Sequence, residues 1–293
     1  MERLRSECMK CILDKNLEKY PEGTGEKEKV IYFQKLMKIL CEAPMNTSAP
    51  VIVRDITELQ EKMFGMKDEY SEVKHHFNNV MLTYEEGVRA KICSAEDPLK
   101  LAIAYAMVGN YIDFGAMQHV DEDALARMLD NAVNIELDKD QYDRLKNDLE
   151  QGKELVYLTD NCGEIVMDKL LMETIMRLYP QVNITVLVRG GAVLNDATMI
   201  DARQIGLVDL VTVIGNGTQI AGTCLEEISQ EAKAAFDAAD LVISKGQGNF
   251  ESLRKCGENI YYMFLCKCGM FARIFDVPEF TGILVNDKCL KDD

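Results

Sequence analysis

Acidic and amide side chains cluster in the segment TDNCGE, directly after the apolar run ELVYL. Asp160 and Asn161 are adjacent, and Glu164 follows three residues later. Carboxylate and amide oxygens are ligands for hard divalent cations, which keep several waters and complete their coordination with substrate oxygens. The segment therefore contains the residue types of an open metal site.

Two further polar segments follow later apolar runs. Asn195 and Asp196 lie in RGGAVLNDAT, shortly after ITVLV, and SKGQGNFESL follows DLVI. If these runs are parallel strands, their carboxyl ends meet at one sheet edge, where ligands bind. We therefore expect Asp160, Asn161 and Asp196 to form the metal site.

The segment SKGQGN has features that suit a phosphoryl group. Gly246 and Gly248 allow backbone amides to approach it, and Lys245 adds positive charge. This segment matches neither the Walker pattern nor GxGxxG, so alone it is a weak signal. Asp160 or Asn161 could simply cap a helix, and Asn195-Asp196 could be an ordinary turn. It is the three segments together that predict a site.

The elements that would position these residues divide the chain into two parts. Residues 1–150 show helical patterning, as in DPLKLAIAYAMVGNYIDFG, where Asp97 can cap a helix and Pro98 suits its first turn. Residues 151–293 alternate short apolar runs with helical stretches, which predicts a largely parallel, doubly wound sheet. The predicted strands are ELVYL, ITVLV, LVTVI, DLVIS, IYYMFL and GILVN, with helices at 163–178 and near 225–238. The helical part is expected to pack on the sheet as a cap.

Charge and composition exclude several classes of partner. The formal net charge of -16 disfavours nucleic acid and anionic membranes. No segment reaches the roughly 18 to 20 apolar residues of a membrane span, and the start MERLRSECMK lacks a signal-peptide core. We expect a cytoplasmic protein whose ten cysteines are reduced thiols. An anionic substrate would then need local positive charge from a metal or well-placed lysines.

These motifs together resemble the damage-control phosphatase family, also called domain of unknown function 89. The resemblance rests on LTDNCGE, VLNDAT, SKGQGNFESL and GNYIDFG, with SAPVIVRDI and FLCKCG in the same order through most of the chain. It implies an α/β fold in which a helical N-terminal region accompanies a Rossmann-like three-layer α/β/α domain. It also implies metal-dependent phosphatases that act on phosphorylated or damaged metabolites.

The resemblance assigns residues to parts of the site. Asp160, Asn161 and Asp196 match the metal-ligand positions, whereas two groups of residues match the surroundings of the substrate phosphate and the pocket wall on the helical side. Those around the phosphate are Gly248, Asn249, Glu251 and Lys267, and those on the helical side are Gly109, Asn110 and Asp113.

The cysteines of CMKC raise the prospect of a second metal site. Cys8 and Cys11, with Cys268, resemble the cysteine-bearing prokaryotic branch of the family. A single CxxC is a weak metal signal, and no histidine is near in sequence, so buried or redox-sensitive thiols are the alternative. His75 and His76 are expected on a solvated helix face.

The leading hypothesis is a metal-dependent phosphomonoesterase using Mn²⁺, Mg²⁺, Ni²⁺ or Co²⁺ on a small phosphorylated substrate. Lys245, Lys267 and backbone amides near Gly246 would stabilise phosphoryl charge. Glu164 or Asp113 would orient or deprotonate an attacking water, and a covalent route through Asp160 stays open. The alternatives are a carboxyl methyltransferase, a nucleotide-dependent enzyme, or a non-enzymatic metal or redox sensor. The first sheet strand lacks the GxGxxG expected of a nucleotide cofactor site.

Overall fold

Helices make up the N-terminal half of the chain. A computed structural model describes residues 3–66, 70–112 and 121–290. Before the first strand, the α-helices of these residues are α1 Ser6–Asn16, α2 Glu26–Glu42, α3 Ala49–Phe64, α4 Ser71–Ser94, α5 Pro98–Gly109, α6 Glu122–Asp130 and α7 Lys139–Gln151. At the start of α5, the Asp97 side chain accepts a hydrogen bond from the Lys100 N–H, and Pro98 occupies the first turn, which confirms the predicted start.

The second half of the described chain forms a six-stranded sheet with order β3-β2-β1-β4-β5-β6. All neighbouring strands are parallel except β5 and β6. The strands are β1 Glu154–Leu158, β2 Asn183–Val188, β3 Thr212–Gly215, β4 Leu241–Lys245, β5 Ile260–Leu265 and β6 Gly282–Asn286. The intervening helices are α8 Glu164–Leu178, α9 Met199–Gln204, α10 Gln230–Ala238, α11 Gln247–Leu253 and α12 Gly269–Phe275. The predicted α/β class with a largely parallel sheet is confirmed.

Both faces of the sheet are covered, as a three-layer fold requires. Leu155 and Tyr157 of β1 belong to a core shared with α4, α5 and α8, whereas Val156 and Leu158 belong to a core shared with α10, α11 and α12. Successive side chains of a strand point to opposite faces, so an uninterrupted apolar run marks a strand buried on both sides.

Two predicted boundaries shift. The strand predicted at 210–214 begins at Thr212, because Leu210 and Val211 complete the turn after a short 3₁₀ helix. The helix predicted from about residue 225 begins at Gln230. There the Ser229 side chain accepts from the Ala232 N–H and so caps the first turn. Before it, the Glu227 and Ile228 N–H groups donate to the Cys224 carbonyl, which forms a turn outside the helix.

The helical half contributes to two different cores. Helices α1, α2 and α3 enclose their own cluster, which includes Tyr32, Leu36 and Ile52. Helices α4 to α7 share the core of the sheet, and α5 packs lengthwise along α8. The predicted division into residues 1–150 and 151–293 falls in the α7–β1 connection and stays a prediction.

The strand order reverses between β1 and β4, because the chain moves outward to β2 and β3 before crossing back. In such open sheets, a crevice forms at the carboxyl ends of the two strands that flank the reversal. The three polar segments follow β1, β2 and β4, so the topology brings them to this crevice.

Candidate active site

The residues predicted as metal ligands meet at the carboxyl ends of β1 and β2. Asn161 and Asp196 form an antiparallel bridge, and the Ala197 N–H donates to the Asp160 carbonyl at 2.7 Å. Asp160, Asn161 and Asp196 are 6%, 2% and 3% exposed, so little surrounding water competes for their oxygens. The fold thus places two carboxylates and one amide side by side.

Two amides face the same pair of carboxylates. The Asn161 Nδ2 donates to Asp160 Oδ2 at 2.7 Å and to Glu164 Oε2 at 3.0 Å. The Asn110 Nδ2, from the residue that ends α5, donates to the same two oxygens at 3.0 and 2.8 Å. Asn110, expected on the helical side of the pocket, therefore contacts the Asp160 segment directly.

Arg189 also belongs to this cluster, and the sequence analysis did not single it out. Its Nε donates to Asp196 Oδ2 at 2.6 Å, its Nη1 donates to Asn249 Oδ1 at 3.0 Å, and its Nη2 lies 3.6 Å from Asp160 Oδ1. The side chain is only 1% exposed, and Nη2 has no hydrogen-bond partner among the described residues. A basic residue directly after the buried strand NITVLV was the signal that could have identified it.

Lys245 is buried beneath the carboxylates, although the sequence suggested that it would approach a phosphate. Its ammonium donates to Glu164 Oε1 at 2.7 Å, to Asp168 Oδ1 at 2.6 Å and to the Ala106 carbonyl at 2.9 Å. Burial lowers the pKa of Lys245, but the Asp168 and Glu164 carboxylates outweigh it and raise the pKa above its ordinary value. Lys245 thus forms ion pairs with Glu164 and Asp168 instead of facing a phosphate.

The segment after β4 packs closely under Asp160. Gly246 has a φ of +79°, and a Cβ at this residue would lie 2.0 Å from Asp160 Oδ2. A Cβ at Gly248 would lie 2.1 Å from the Ala221 carbonyl oxygen. Asn249 is fully buried, and its Nδ2 donates to the Lys245 carbonyl at 2.7 Å. Gly246 therefore lets the backbone lie against the Asp160 carboxylate, and Gly248 lets it lie against the Ala221 carbonyl.

Lys267 and Glu251, both predicted near the substrate phosphate, lie in different surroundings. The Lys267 ammonium donates to the Asn110 carbonyl, and its backbone N–H donates to Gln247 Oε1 at 2.9 Å, so it borders the Asp160 cluster. Glu251 is half-buried, with Lys15 and Arg254 as charged neighbours. Burial raises the pKa of its carboxyl to about 7.

The structure brings the three cysteines of the predicted second metal site near one another, since Cys268 and Cys11 both contribute to raising the pKa of the Cys8 thiol, after its burial. All ten cysteines are free thiols, and Cys11 is exposed, whereas Cys8 contacts Met270. Within residues 3–66, 70–112 and 121–290, no group of three or more His, Cys, Asp or Glu side chains is arranged to hold a metal. A metal at Cys8, Cys11 and Cys268 stays a prediction.

Asp160, Asn161 and Asp196 do not form a group of three His, Cys, Asp or Glu side chains, because Asn161 carries an amide. Asp160, Asn161 and Asp196 supply oxygen donors only, which suits Mg²⁺ or Mn²⁺ better than a soft metal. Asp160 and Asn161 follow β1 and Asp196 follows β2, so the three residues lie together at the crevice, and their donor types fit a hard divalent ion. Asp113, predicted to act on water, lies outside the described residues.

The fold and this cluster define an α/β protein with a buried polar cluster at the strand-order reversal. The chain belongs to the family of the damage-control phosphatase ARMT1-like domain, whose model matches residues 4–282. This confirms the predicted family.

Relatives agree with this assignment along most of their length. An uncharacterized protein of Methanocaldococcus jannaschii is 31% identical over 98% of this chain and 95% of its own. Damage-control phosphatases of Archaeoglobus fulgidus and Pyrococcus horikoshii are 33% and 30% identical, covering 85% and 86% of this chain and 86% of each relative. A crystal structure of a Pyrococcus horikoshii protein, described as a DUF89 family member, matches with a TM-score of 0.78 at 26% identity. The match covers 98% of this chain and 99% of the other.

No helix in the described part of the chain is long and apolar enough to cross a membrane.

Proposed function

We propose that this protein is a metal-dependent phosphatase that hydrolyses phosphomonoesters of small metabolites. Its substrates would include damaged metabolites, such as sugar phosphates or cofactor fragments. The observation that carries the proposal is the meeting of Asp160, Asn161 and Asp196 at the strand-order reversal. The names of the archaeal relatives support the reaction class.

The metal-binding residues would be Asp160, Asn161 and Asp196. When bound there, Mn²⁺, Mg²⁺, Ni²⁺ or Co²⁺ would supply Lewis-acid stabilisation of phosphoryl oxygens. The chain itself holds these donors in place before any ligand arrives, because the Asp160 carboxylate accepts from both Asn110 and Asn161. Preorganised donors need no rearrangement during the reaction, which is the main advantage of such sites.

Positive charge for the substrate phosphate would come from Lys267, with backbone amides of residues 246–249. Two features support this role for Lys267: it borders the cluster through Asn110, and its side chain is only partly buried. Arg189 offsets the charge of Asp160 and Asp196 from within the protein. These cations would let a chain of net charge -16 accept an anionic substrate.

Glu164 suits an orienting role better than the role of general base. It is fully buried and accepts four hydrogen bonds, from Lys245, from the Asn110 side chain and from both the backbone and the side chain of Asn161. A base must reach the proton that it removes, and these donors already surround the carboxylate. This leaves Asp113 as the proposed residue acting on water.

Phosphate release tests the proposal. The protein would be assayed with p-nitrophenyl phosphate and a panel of sugar phosphates, with each of the four ions or with EDTA. We expect activity only with metal, and a loss of at least about 100-fold in kcat/KM for Asp160→Ala or Asp196→Ala. Asp140→Ala, on an exposed part of α7, is the control, and circular dichroism checks folding.

Three results would contradict the proposal: undiminished activity in EDTA, parent-like rates in both aspartate variants, or no turnover with any ion. Product formation that requires an added methyl donor or nucleotide would instead identify one of the alternative enzymes.

A further inference from the structure

We infer that Glu164 is a positioning residue that fixes the Asn161 amide with its oxygen directed toward the proposed metal. Lys245 and Asp168 hold Glu164 from beneath. The inference rests on the proposed function, because it concerns how this chain prepares a ligand for the ion. It assigns a role to Asp168, which the sequence motifs did not include.

The orientation of the Asn161 amide follows from the chemistry of its neighbours. Its NH₂ group lies 2.7 Å from Asp160 Oδ2 and 3.0 Å from Glu164 Oε2. Ionised carboxylates only accept hydrogen bonds, so the amide must turn its NH₂ toward both of them. Its Oδ1 then lies on the other side of the Cβ–Cγ bond and points away from both carboxylates. Turning the amide over would set an oxygen against two carboxylate oxygens.

The Asn110 amide is fixed at both ends. Its Nδ2 donates to the same two carboxylates, and its Oδ1 accepts from the Leu265 N–H at 3.1 Å. A backbone N–H can only donate, so a turned Asn110 would set its NH₂ against that donor. If one of the two amides must turn, Asn161 is therefore the one that turns.

Beneath Glu164 lies a buried ion cluster that keeps its carboxylate in place. The three N–H groups of the Lys245 ammonium are all used, by Glu164 Oε1, Asp168 Oδ1 and the Ala106 carbonyl. Asp168 also accepts from the Tyr157 hydroxyl at 2.7 Å. Glu164 and Asp168 lie one turn apart on α8, so both carboxylates accept hydrogen bonds from the same ammonium.

Replacing Glu164 by glutamine changes the polarity of this arrangement without changing its size. The Lys245 ammonium only donates, so it would take the one amide oxygen of the new side chain. The new NH₂ would then face the NH₂ groups of Asn110 and Asn161. Only Asp160 Oδ2 would then still oppose turning of the Asn161 amide, and each turned amide would put its NH₂ on the side where its oxygen is needed.

Calorimetric titration with Mn²⁺ tests the inference on the folded parent and two variants. We expect Glu164→Gln to weaken Mn²⁺ affinity by about ten-fold or more, as orienting partners of metal ligands typically do. Asp168→Asn is the matched control, because the new side chain keeps an amide oxygen that accepts from Lys245, so Glu164 stays held while a carboxylate that contacts neither Asn110 nor Asn161 is removed. It should change Mn²⁺ affinity by less than about three-fold, and thermal melts confirm that each variant is folded.

A double variant separates amide orientation from a simple loss of charge. In the parent, Asn161 donates to Glu164. In the double variant Asn161→Asp with Glu164→Gln, residue 164 becomes the donor and residue 161 the acceptor, and the net charge equals that of the parent. A carboxylate presents an oxygen whichever way it turns, so the double variant should recover part of the affinity lost in Glu164→Gln. Asn161→Asp alone completes the cycle.

Each contrary outcome has a distinct meaning. Parent-like affinity in Glu164→Gln, or equal losses in Glu164→Gln and Asp168→Asn, would overturn the positioning role while leaving the proposed function standing. Additive effects in the double variant would also overturn it. A parent protein that binds none of the four ions would overturn the proposed function, and this inference with it.

Discussion

At the scale of single residues, Arg189 contacts both carboxylates that we propose as metal ligands. Its Nε donates to Asp196 and its Nη2 lies 3.6 Å from Asp160, with the side chain almost wholly buried. Removing one partner of a buried ion pair typically costs about 3 to 5 kcal/mol, because the remaining charge is left without compensation. A bound divalent cation would supply the missing positive charge.

Arg189→Gln should therefore lower the free energy of unfolding by about 3 kcal/mol without metal, and by clearly less with saturating Mn²⁺. Urea unfolding with and without the ion measures both values. Arg89→Gln is the control, since Arg89 pairs with Glu85 and Glu173 in a partly exposed cluster between α4 and α8. A deficit in Arg189→Gln that Mn²⁺ leaves unchanged would show that Arg189 and the ion do not share these carboxylates.

The sequence predicted some roles at this scale better than others. Asp160, Asn161 and Asp196 could be placed together because each follows an apolar run, and strand ends converge in a parallel sheet. The direction of Lys245 could not be predicted in this way. It is the last residue of β4, and only the three-dimensional packing of α5 and α8 shows that its side chain enters a buried carboxylate cluster.

At the scale of elements, the Lys245 cluster joins β1, β4, α5 and α8 beneath the site. Asp168 of this cluster is fully buried and shares the Lys245 ammonium with Glu164. Burial raises the pKa of Asp168 to about 7, and Lys245 opposes this rise. The ordinary pKa of an aspartate is about 4, so the folded protein binds the proton more tightly than the unfolded chain.

This difference makes stability depend on pH in a definite direction. Between about pH 4 and pH 7 the folded state holds more protons at Asp168, so the free energy of unfolding falls as the pH rises through this window. The parent should lose about 2 to 3 kcal/mol more than Asp168→Asn between pH 5 and pH 8. Urea denaturation of both proteins at the two pH values measures this. An identical pH dependence would contradict the shared, buried charge.

Element boundaries show where sequence reasoning reaches its limit. The apolar runs predicted all six strands, most clearly β4 and β5, because strands covered on both faces lack polar alternation. The start of α10 was placed about five residues too early, since the Ser229 cap was outweighed by the helical character of the residues before it. A capping residue is a single-residue signal, so a helical pattern over many residues can hide the true start of a helix.

At the scale of the whole molecule, the strand order explains why one site gathers residues from distant parts of the chain. The reversal between β1 and β4 brings residues 160, 196 and 246 to one crevice, and α5 delivers Asn110 to it from the helical half. The division into a cap and a sheet domain stays a prediction, whereas the sequence did predict the sheet itself. It did not predict that α4 to α7 share the sheet's core while α1 to α3 form their own, because helical patterning does not reveal which helices pack together.

The central claim is that Asp160, Asn161 and Asp196 hold a divalent ion at this crevice. Crystals grown with Mn²⁺, measured for anomalous scattering of manganese, test it most directly. We predict a peak about 2.1 Å from an oxygen of each of the three side chains, the distance typical of hard-cation coordination. A peak confined to the Cys8 and Cys268 region, or the absence of any peak at the ends of β1 and β2 at saturating Mn²⁺, would contradict the account.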